Sequence, residues 1–289
     1  LSFKETLNKV VHQMEGNDNF TDVQPVSGGD INEAYYIRTN NNEYFMKLNK
    51  QVDPSFFTIE AKGLSMLKDT KTIDVPAVYG VYEEDGIPML WLEWIEGNKH
   101  NDTDSLLGER LATLHLSEAS GFGWEETTYI GKHKQANTIL PSWTDYYRDY
   151  RLKGQLEIGR NKGLISGKRE KNLMKLMERL DKWLPKNPKP SILHGDLWGG
   201  NWMVGNNGNP YLIDPSILYG DHEFEIAFTE LFGGFSKKFY QAYHATFPLS
   251  DSYDDRKDIY QLYYLLVHLN LFGEIYGGTV DRILKKYMD

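Results

Sequence analysis

His194-Gly195-Asp196-Leu197-Trp198-Gly199-Gly200-Asn201, followed by Ile213-Asp214-Pro215, is the stretch whose reading decides the fold of this chain. It runs from a short apolar strand at 191–193 into a β-hairpin: 202–204, a turn at Asn206-Asn207-Gly208-Asn209, and 211–213. An Asp, an Asn five residues on and a second Asp after the hairpin form a phosphoryl-transfer constellation. Such chemistry needs a carboxylate that orients the acceptor hydroxyl and takes its proton. It also needs hard oxygen ligands for the Mg²⁺ that rides on the phosphates. A loop between strands lets Asp196 and Asn201 face one cleft, and Asp214 arrives on the returning strand. Any one of these residues alone reads as a polar turn. The ordered set carries the inference.

Upstream residues supply partners for it. Tyr44-Phe45-Met46-Lys47-Leu48 alternates as a strand, which places Lys47 on the face of Phe45 and opposite Tyr44, Met46 and Leu48. A lysine among apolar neighbours in a strand needs an anionic partner, and nucleotide phosphates would provide one. Glu60 shares a helical stripe with Phe56 and Leu64, at i−4 and i+4. A carboxylate on an apolar stripe calls for a cation, and Lys47 is the natural candidate. Val26-Ser27-Gly28-Gly29-Asp30-Ile31-Asn32 precedes the strand pair. Gly28 and Gly29 would let backbone N–H groups approach phosphate, although the string departs from G-x-G-x-x-G.

The surrounding pattern changes period once. Strands at 34–38 and 43–48 flank the turn Thr39-Asn40-Asn41-Asn42, and Asp53-Pro54 opens a helix to about Leu67. Strands at 77–82 and 88–95 follow, and Glu96-Gly97-Asn98 is a polar break. From Thr103 onward Leu107, Leu111, Leu114 and His115 fit a helix, and helices are expected near 143–159, 168–184, 223–232, 237–246, 255–272 and 279–288. The expectation is an α+β fold of two lobes: a β-rich nucleotide-binding lobe over 1–96 and a mostly helical catalytic and substrate lobe over 97–289. Composition sets the frame. Apolar residues at 40 % and aromatic residues at 13 % of 289 favour a folded chain over a disordered one. Thirty-two basic against 41 acidic residues give a charge of −9, which disfavours nucleic acid and anionic membranes as partners. Without cysteine there is no disulfide, thiol nucleophile or Cys-ligated zinc, and the histidines show no metal spacing. No stretch reads as a leader or a membrane span, so a soluble, cytoplasmic protein is expected.

Taken together, Ser27–Asn32 with Tyr35, Phe45-Met46-Lys47, the H-G-D-L-W-x-x-N string, Ile213-Asp214-Pro215 and Tyr219-Gly220-Asp221-His222-Glu223 resemble the fructosamine/ketosamine kinase family. Pro141-Ser142-Trp143, Gln155-Leu156-Glu157 and Tyr260-Gln261-Leu262-Tyr263 extend the similarity over essentially the whole chain. The resemblance implies a protein-kinase-like fold and ATP-dependent phosphorylation of the 3-hydroxyl of a ketosamine, either a small adduct or a glycated protein lysine. It implies Asp196 as catalytic base, Asn201 and Asp214 as Mg²⁺ ligands, Lys47 on phosphate and Glu60 orienting Lys47. It also implies Glu93-Trp94-Ile95 as the adenine-contacting hinge, and Asp30 and Trp198 on the substrate side. His194 is expected to pack under the loop and bond backbone. One departure stands out: Glu225 occupies the family's Asp position in E-x-D-L-A, and its added methylene is expected to disturb the brace on the catalytic loop, so Glu225 is not expected to be essential. An aminoglycoside- or choline-type kinase, or a non-catalytic nucleotide-binding module, are the alternative readings.

Overall fold

Tyr44, Met46 and Leu48 turn one way and Phe45 and Lys47 the other, and the structure shows what each face meets. The computed structural model describes residues 2–16, 19–27 and 31–288. Gly28, Gly29 and Asp30 lie outside the described residues. The chain forms two compact units. The first is Leu1–Leu107 together with Asn201–Pro215, and the second is Gly108–Gly200 together with Ser216–Asp289. The break thus falls eleven residues beyond the expected 96/97 boundary, and a later segment joins the first unit.

In the first unit, strands β1 (Asp22–Val26), β2 (Glu33–Arg38), β3 (Glu43–Leu48), β4 (Val78–Glu84) and β5 (Ile87–Glu93) build one antiparallel sheet in the order β1-β2-β3-β5-β4. Thr39 closes the β2–β3 turn, its N–H donating to the Asn42 carbonyl at 2.9 Å. An N-terminal helix that the sequence reading did not anticipate, α1 (Phe3–Glu15), covers one face of the sheet. Ser2 and Glu5 form its capping box: Glu5 N–H donates to Ser2 Oγ at 3.3 Å, and Ser2 N–H to Glu5 Oε2 at 2.7 Å. Leu7, Val10 and Val11 of α1 bury themselves with Ile37, Tyr44, Met46, Leu48, Met89 and Trp91. The last residue of α1, Glu15, accepts from Thr39 Oγ1 at 3.1 Å, Asn42 Nδ2 at 2.8 Å and the Tyr44 hydroxyl. The opposite face of β3 is left to Phe45 and Lys47. Helix α2 (Ser55–Asp69) follows β3, with Asp53 Oδ1 accepting from Ser55 N–H at 2.9 Å. The late segment supplies a hairpin, β11 (Trp202–Val204) and β12 (Pro210–Leu212), which docks on the same unit. Leu212 N–H donates to the Asp74 carbonyl at 2.9 Å, and Thr103 Oγ1 to the Gly208 carbonyl at 2.7 Å.

Helix α3 (Thr103–Leu116) leads into the second unit. Short strands β6 (Phe122–Gly123), β9 (Ile139–Leu140), β10 (Ser191–Leu193) and β13 (Leu218–Gly220) form a small sheet, and β7 (Thr128–Ile130) pairs with β8 (His133–Gln135). The expected helix at 143–159 is real but interrupted: α4 (Trp143–Tyr146) and α5 (Lys153–Asn161) flank a π-helical turn at Tyr147–Leu152. The expected 168–184 helix stops early, as α6 (Gly167–Met177). Helices α7 (His222–Thr229), α8 (Lys237–Thr246), α9 (Tyr253–Phe272) and α10 (Gly277–Lys286) complete the unit. Every residue of α7 is buried, and α9 runs through the core beside it, with Tyr264 stacked flat on Phe228 at 3.6 Å between ring centroids. No helix among the described residues is long and apolar enough to cross a membrane.

Candidate active site

The residues singled out in the sequence divide between the two units. In the first unit, β3 and α2 bring Lys47 and Glu60 together. Lys47 Nζ donates to Glu60 Oε1 at 2.7 Å and also to Asp214 Oδ1. Both Lys47 and Glu60 are buried, as a strand facing a helix across an apolar layer requires. Burial alone would push the Lys47 ammonium down, but Asp214 and Glu60 outweigh it and hold the group well above the ordinary lysine range. Burial pushes Glu60 up against the pull of Lys47, and the Asp214 charge adds to the rise. Two carboxylates around one ammonium leave an excess negative charge. Asp214 bears it toward solvent, its side chain 43 % exposed. Its backbone is left-handed at φ 54°, a conformation that Asp tolerates better than most residues and that turns the chain sharply after β12. Asn201 sits at the start of the same hairpin, its carbonyl accepting from Ile213 N–H at 3.0 Å.

Those residues fit a hard divalent cation. Among the described residues, no group of three or more His, Cys, Asp or Glu side chains could hold an ion. One carboxylate and one amide oxygen, with excess negative charge beside them, suit a Mg²⁺ that takes its other ligands from phosphates and water.

The stretch expected to form the hinge, Glu93-Trp94-Ile95, lies at the end of β5. Glu93 N–H donates to the Ala77 carbonyl at 2.9 Å, while Glu93 Oε2 accepts from Ala77 N–H at 3.0 Å. Its carboxylate therefore ties β5 to the segment entering β4. Ile95 is buried, and Trp94 meets Tyr36 edge-on at 4.8 Å and Phe45 at 6.3 Å. Tyr36 and Phe45 are cross-strand partners on the Lys47 face, so that face carries an aromatic group next to its single ammonium. The alternation that placed Lys47 also placed these rings, but sequence reasoning did not use them.

The second unit holds the loop from His194 to Gly200. His194 is fully buried, and its Nδ1 accepts from Asp196 N–H at 3.2 Å, as expected of a residue packed under the loop. The loop's backbone is bonded on several sides. Ser216 N–H donates to the His194 carbonyl at 2.8 Å, and the Tyr264 hydroxyl to the Gly195 carbonyl at 2.9 Å. Gly195 is left-handed at φ 84°, and a Cβ there would overlap the Ser216 carbonyl, so no other residue fits. Burial pushes the Tyr263 and Tyr264 phenols up, and the Asp196 carboxylate adds to both shifts.

Glu225 corrects an expectation. It is the brace: Oε1 accepts from Gly195 N–H at 2.6 Å and Oε2 from His194 N–H at 3.1 Å. His115 Nε2 donates to the same carboxylate at 2.7 Å, and His115 Nδ1 meets the Tyr243 hydroxyl at 2.6 Å, which also meets His222 Nδ1 at 2.8 Å. Burial would raise Glu225, but the bond from His115 and its neighbours' charges hold it below the ordinary range, as an anion. The longer side chain does not disturb the loop; it reaches two backbone donors and an imidazole at once. Sequence reasoning missed His115 and Tyr243 as well. The available signal was a histidine in the apolar stripe Leu107, Leu111, Leu114, a position that demands a buried partner. Trp198 is 43 % exposed, its indole leaning across the backbone of Gly200.

A fructosamine kinase family model matches residues 3–289. A probable ketoamine kinase of Lactiplantibacillus plantarum is 42 % identical over 268 residues, 92 % of this chain and 94 % of that protein. Its counterpart in Enterococcus faecium is 39 % identical over 266 residues, 92 % of this chain and 95 % of its own length. Among solved structures, a candidate fructosamine-3-kinase of Haemophilus somnus matches with TM-score 0.89 and 30 % identity, over 99 % of this chain and 97 % of that one. An aminoglycoside phosphotransferase crystallised with AMP-PNP and hygromycin B matches at TM-score 0.64 and 16 % identity over 98 % of this chain and 99 % of that one, a likeness of fold alone. With a β-sheet unit, a helical unit and the family model matched over nearly its whole length, the chain is a protein-kinase-like, ATP-dependent phosphotransferase that belongs to the fructosamine kinase family.

Proposed function

We propose that the chain transfers the γ-phosphoryl group of ATP to the 3-hydroxyl of a ketosamine, on a small adduct or a glycated protein lysine. The observation that carries this reading is the Lys47 ammonium held between Glu60 and Asp214, a buried cation of the kind that nucleotide phosphates would require. Asp196 accepts the proton of the acceptor hydroxyl as its oxygen attacks the γ-phosphorus in line. The bond from phosphorus to the β–γ bridging oxygen breaks, and ADP leaves. Lys47 binds phosphate oxygens and Glu60 keeps its ammonium aimed. Asn201 and Asp214 would hold a Mg²⁺ that neutralises phosphate charge when bound. Gly28 and Gly29 cover the phosphates with backbone N–H groups, and Glu93-Trp94-Ile95 line the adenine side. Asp30 and Trp198 contact the acceptor, the indole covering the C–H side of the sugar.

The test is an acceptor screen with MgATP coupled to ADP release, presenting ketosamines of several sugars beside kanamycin and choline. Turnover confined to ketosamines, with the phosphate on O3 of the product by phosphorus NMR, is the expected result. Turnover of kanamycin or choline alone would assign the chain to another acceptor. Silence with every acceptor would leave a nucleotide-binding module.

A further inference from the structure

Apolar surface on the second unit gathers beside the catalytic loop. Gly199 of that loop and Gly234 touch backbone to backbone. A Cβ on Gly199 would lie 2.9 Å from the Gly234 Cα, and one on Gly234 would lie 2.6 Å from the Gly199 Cα. Phe232, two residues before Gly234, is 43 % exposed and rests on Phe228 at 6.0 Å and on His268 at 4.6 Å. The rings continue outward: His268 to Phe272 at 5.6 Å, His268 to Tyr276 at 5.2 Å, Phe272 to Tyr276 at 6.3 Å. Phe272 is 56 % exposed and Ile275 83 %. Three Cα steps of about 3.8 Å and the glycine contact separate Trp198 from Phe232.

The strip is also rooted in the loop's own support. His268 Nδ1 donates to the Tyr264 carbonyl at 2.8 Å, and the Tyr264 hydroxyl holds the Gly195 carbonyl. Burial lowers the His268 imidazole, so the strip is neutral at physiological pH. Glu274, its acidic neighbour, is held by Arg169 at 2.6 Å. Exposed apolar area of this kind, joined to the loop through the Gly199–Gly234 approach, points to a ligand that extends past the loop.

We propose that Phe232, His268, Phe272 and Tyr276 form an aglycone subsite, which binds the apolar body of the amine that carries the sugar. The inference rests on the ketosamine reading above. A ketosamine is a sugar joined through nitrogen to an amine. With the sugar at Asp196 and Trp198, the amine leaves along the loop, and the surface beside that loop is this neutral row of rings. The subsite therefore selects amines with aromatic or aliphatic bodies over small or strongly charged ones.

The test uses the full chain and two probes: the ketose that is turned over in the acceptor screen, carried once on methylamine and once on benzylamine. The benzyl compound is expected to have the higher kcat/KM by about tenfold, through KM, as burial of part of a phenyl ring gives. Phe272→Ser and Phe232→Ser should bring the ratio of the two compounds towards one, and Phe272→Tyr should keep it. A purely structural role would weaken both compounds alike and leave the ratio where it was, which would overturn the proposal. So would a wild-type ratio of one. A dimer in solution that Phe272→Ser dissociates, with the ratio unaltered, would give the strip to a second copy of the chain instead. Failure to turn over either probe would overturn the acceptor reading itself, whereas turnover without preference overturns the subsite alone.

Discussion

Asp196 and Glu225 are two carboxylates with opposite requirements. Asp196, as the proposed base, would have to stay open to an acceptor hydroxyl, whereas Glu225 is buried with every near donor engaged: two loop amides and an imidazole. Asp196→Asn preserves shape but cannot accept the proton, so kcat should fall by roughly 10²–10⁴. Nucleotide affinity, measured by titration calorimetry with MgATP, should barely move. Glu225→Gln is expected to behave differently, because its amide must turn an N–H toward one of the N–H donors. Stranding a buried donor costs about 1–3 kcal/mol, so the melting temperature should drop by several degrees and kcat should fall as the loop loosens. Glu225→Asp should not restore either quantity, since the shorter side chain cannot span both amides and His115. A Glu225→Asp enzyme with wild-type melting and kcat would show that the loop does not depend on this reach. Sequence alone revealed the Lys47–Glu60 pair because strand alternation and helical stripe each point to a buried charge. It misjudged Glu225 because a family pattern records which residue is usual, not how far a backbone amide stands from a helix.

At the scale of elements, helix α7 begins with Asp221, and this cap stores a pH dependence. Asp221 accepts from Glu223 N–H at 3.1 Å and from the Tyr260 hydroxyl at 2.5 Å, and Trp143 Nε1 donates to that same hydroxyl at 2.9 Å. Burial, reinforced by the Glu223 charge, pushes the Asp221 carboxyl from its ordinary 3.8 up to about 7. The folded chain therefore holds a proton that the unfolded chain has released between those two values. The stability due to this group is complete below about 4 and is lost as pH rises through about 7, at up to about 1.4 kcal/mol per pH unit. His222, next in the chain, has the opposite sign: burial lowers it to about 3, so its contribution is lost as pH falls below the ordinary histidine range. The two slopes oppose each other in the wild type, so the difference between proteins is the informative quantity. The unfolding free energy of wild type minus that of Asp221→Asn, from urea titrations at pH 5 and 7.5, should shrink as pH rises. A difference that is constant with pH would mean that Asp221 is ionised throughout.

The elements that were legible in the sequence are those with a strong period or a turn signature: β2, β3, α2, the β11–β12 hairpin and α8. Helix α1 is hard to read although Leu7, Val10, Val11 and Met14 keep helical spacing, because its remaining positions are polar and its partner face lies far along the chain. The two- and three-residue strands β6 to β9 carry no period to read, and nothing in 143–159 announces a π-helical turn. Local pattern ends where tertiary contacts decide.

For the whole molecule, the consequential feature is that the first unit is discontinuous. The fifteen residues of the late segment, Asn201–Pro215, belong to it through bonds to Asp74 and Thr103, and the segment ends by delivering Asp214 to Lys47. Composition and period change only once along the chain, so the sequence shows a single boundary. A return of the chain to an earlier unit leaves no mark in composition. If the hairpin's stability belongs to the first unit, then weakening that unit's core should weaken the hairpin with it. Met46→Ala removes a fully buried side chain from β3 beneath α1, far along the sequence from residue 201. A cavity of this kind costs about 2–5 kcal/mol, and cooperative units open together in native-state hydrogen exchange. In Met46→Ala the amides of Gly205 and Leu212 should therefore lose protection in step with those of β3 and β5, while the core amides of α9 keep theirs. Hairpin amides that instead retain protection with α9 would assign the Asn201–Pro215 segment to the helical unit, and Asp214 would then reach Lys47 as a guest of the first unit and not as part of it.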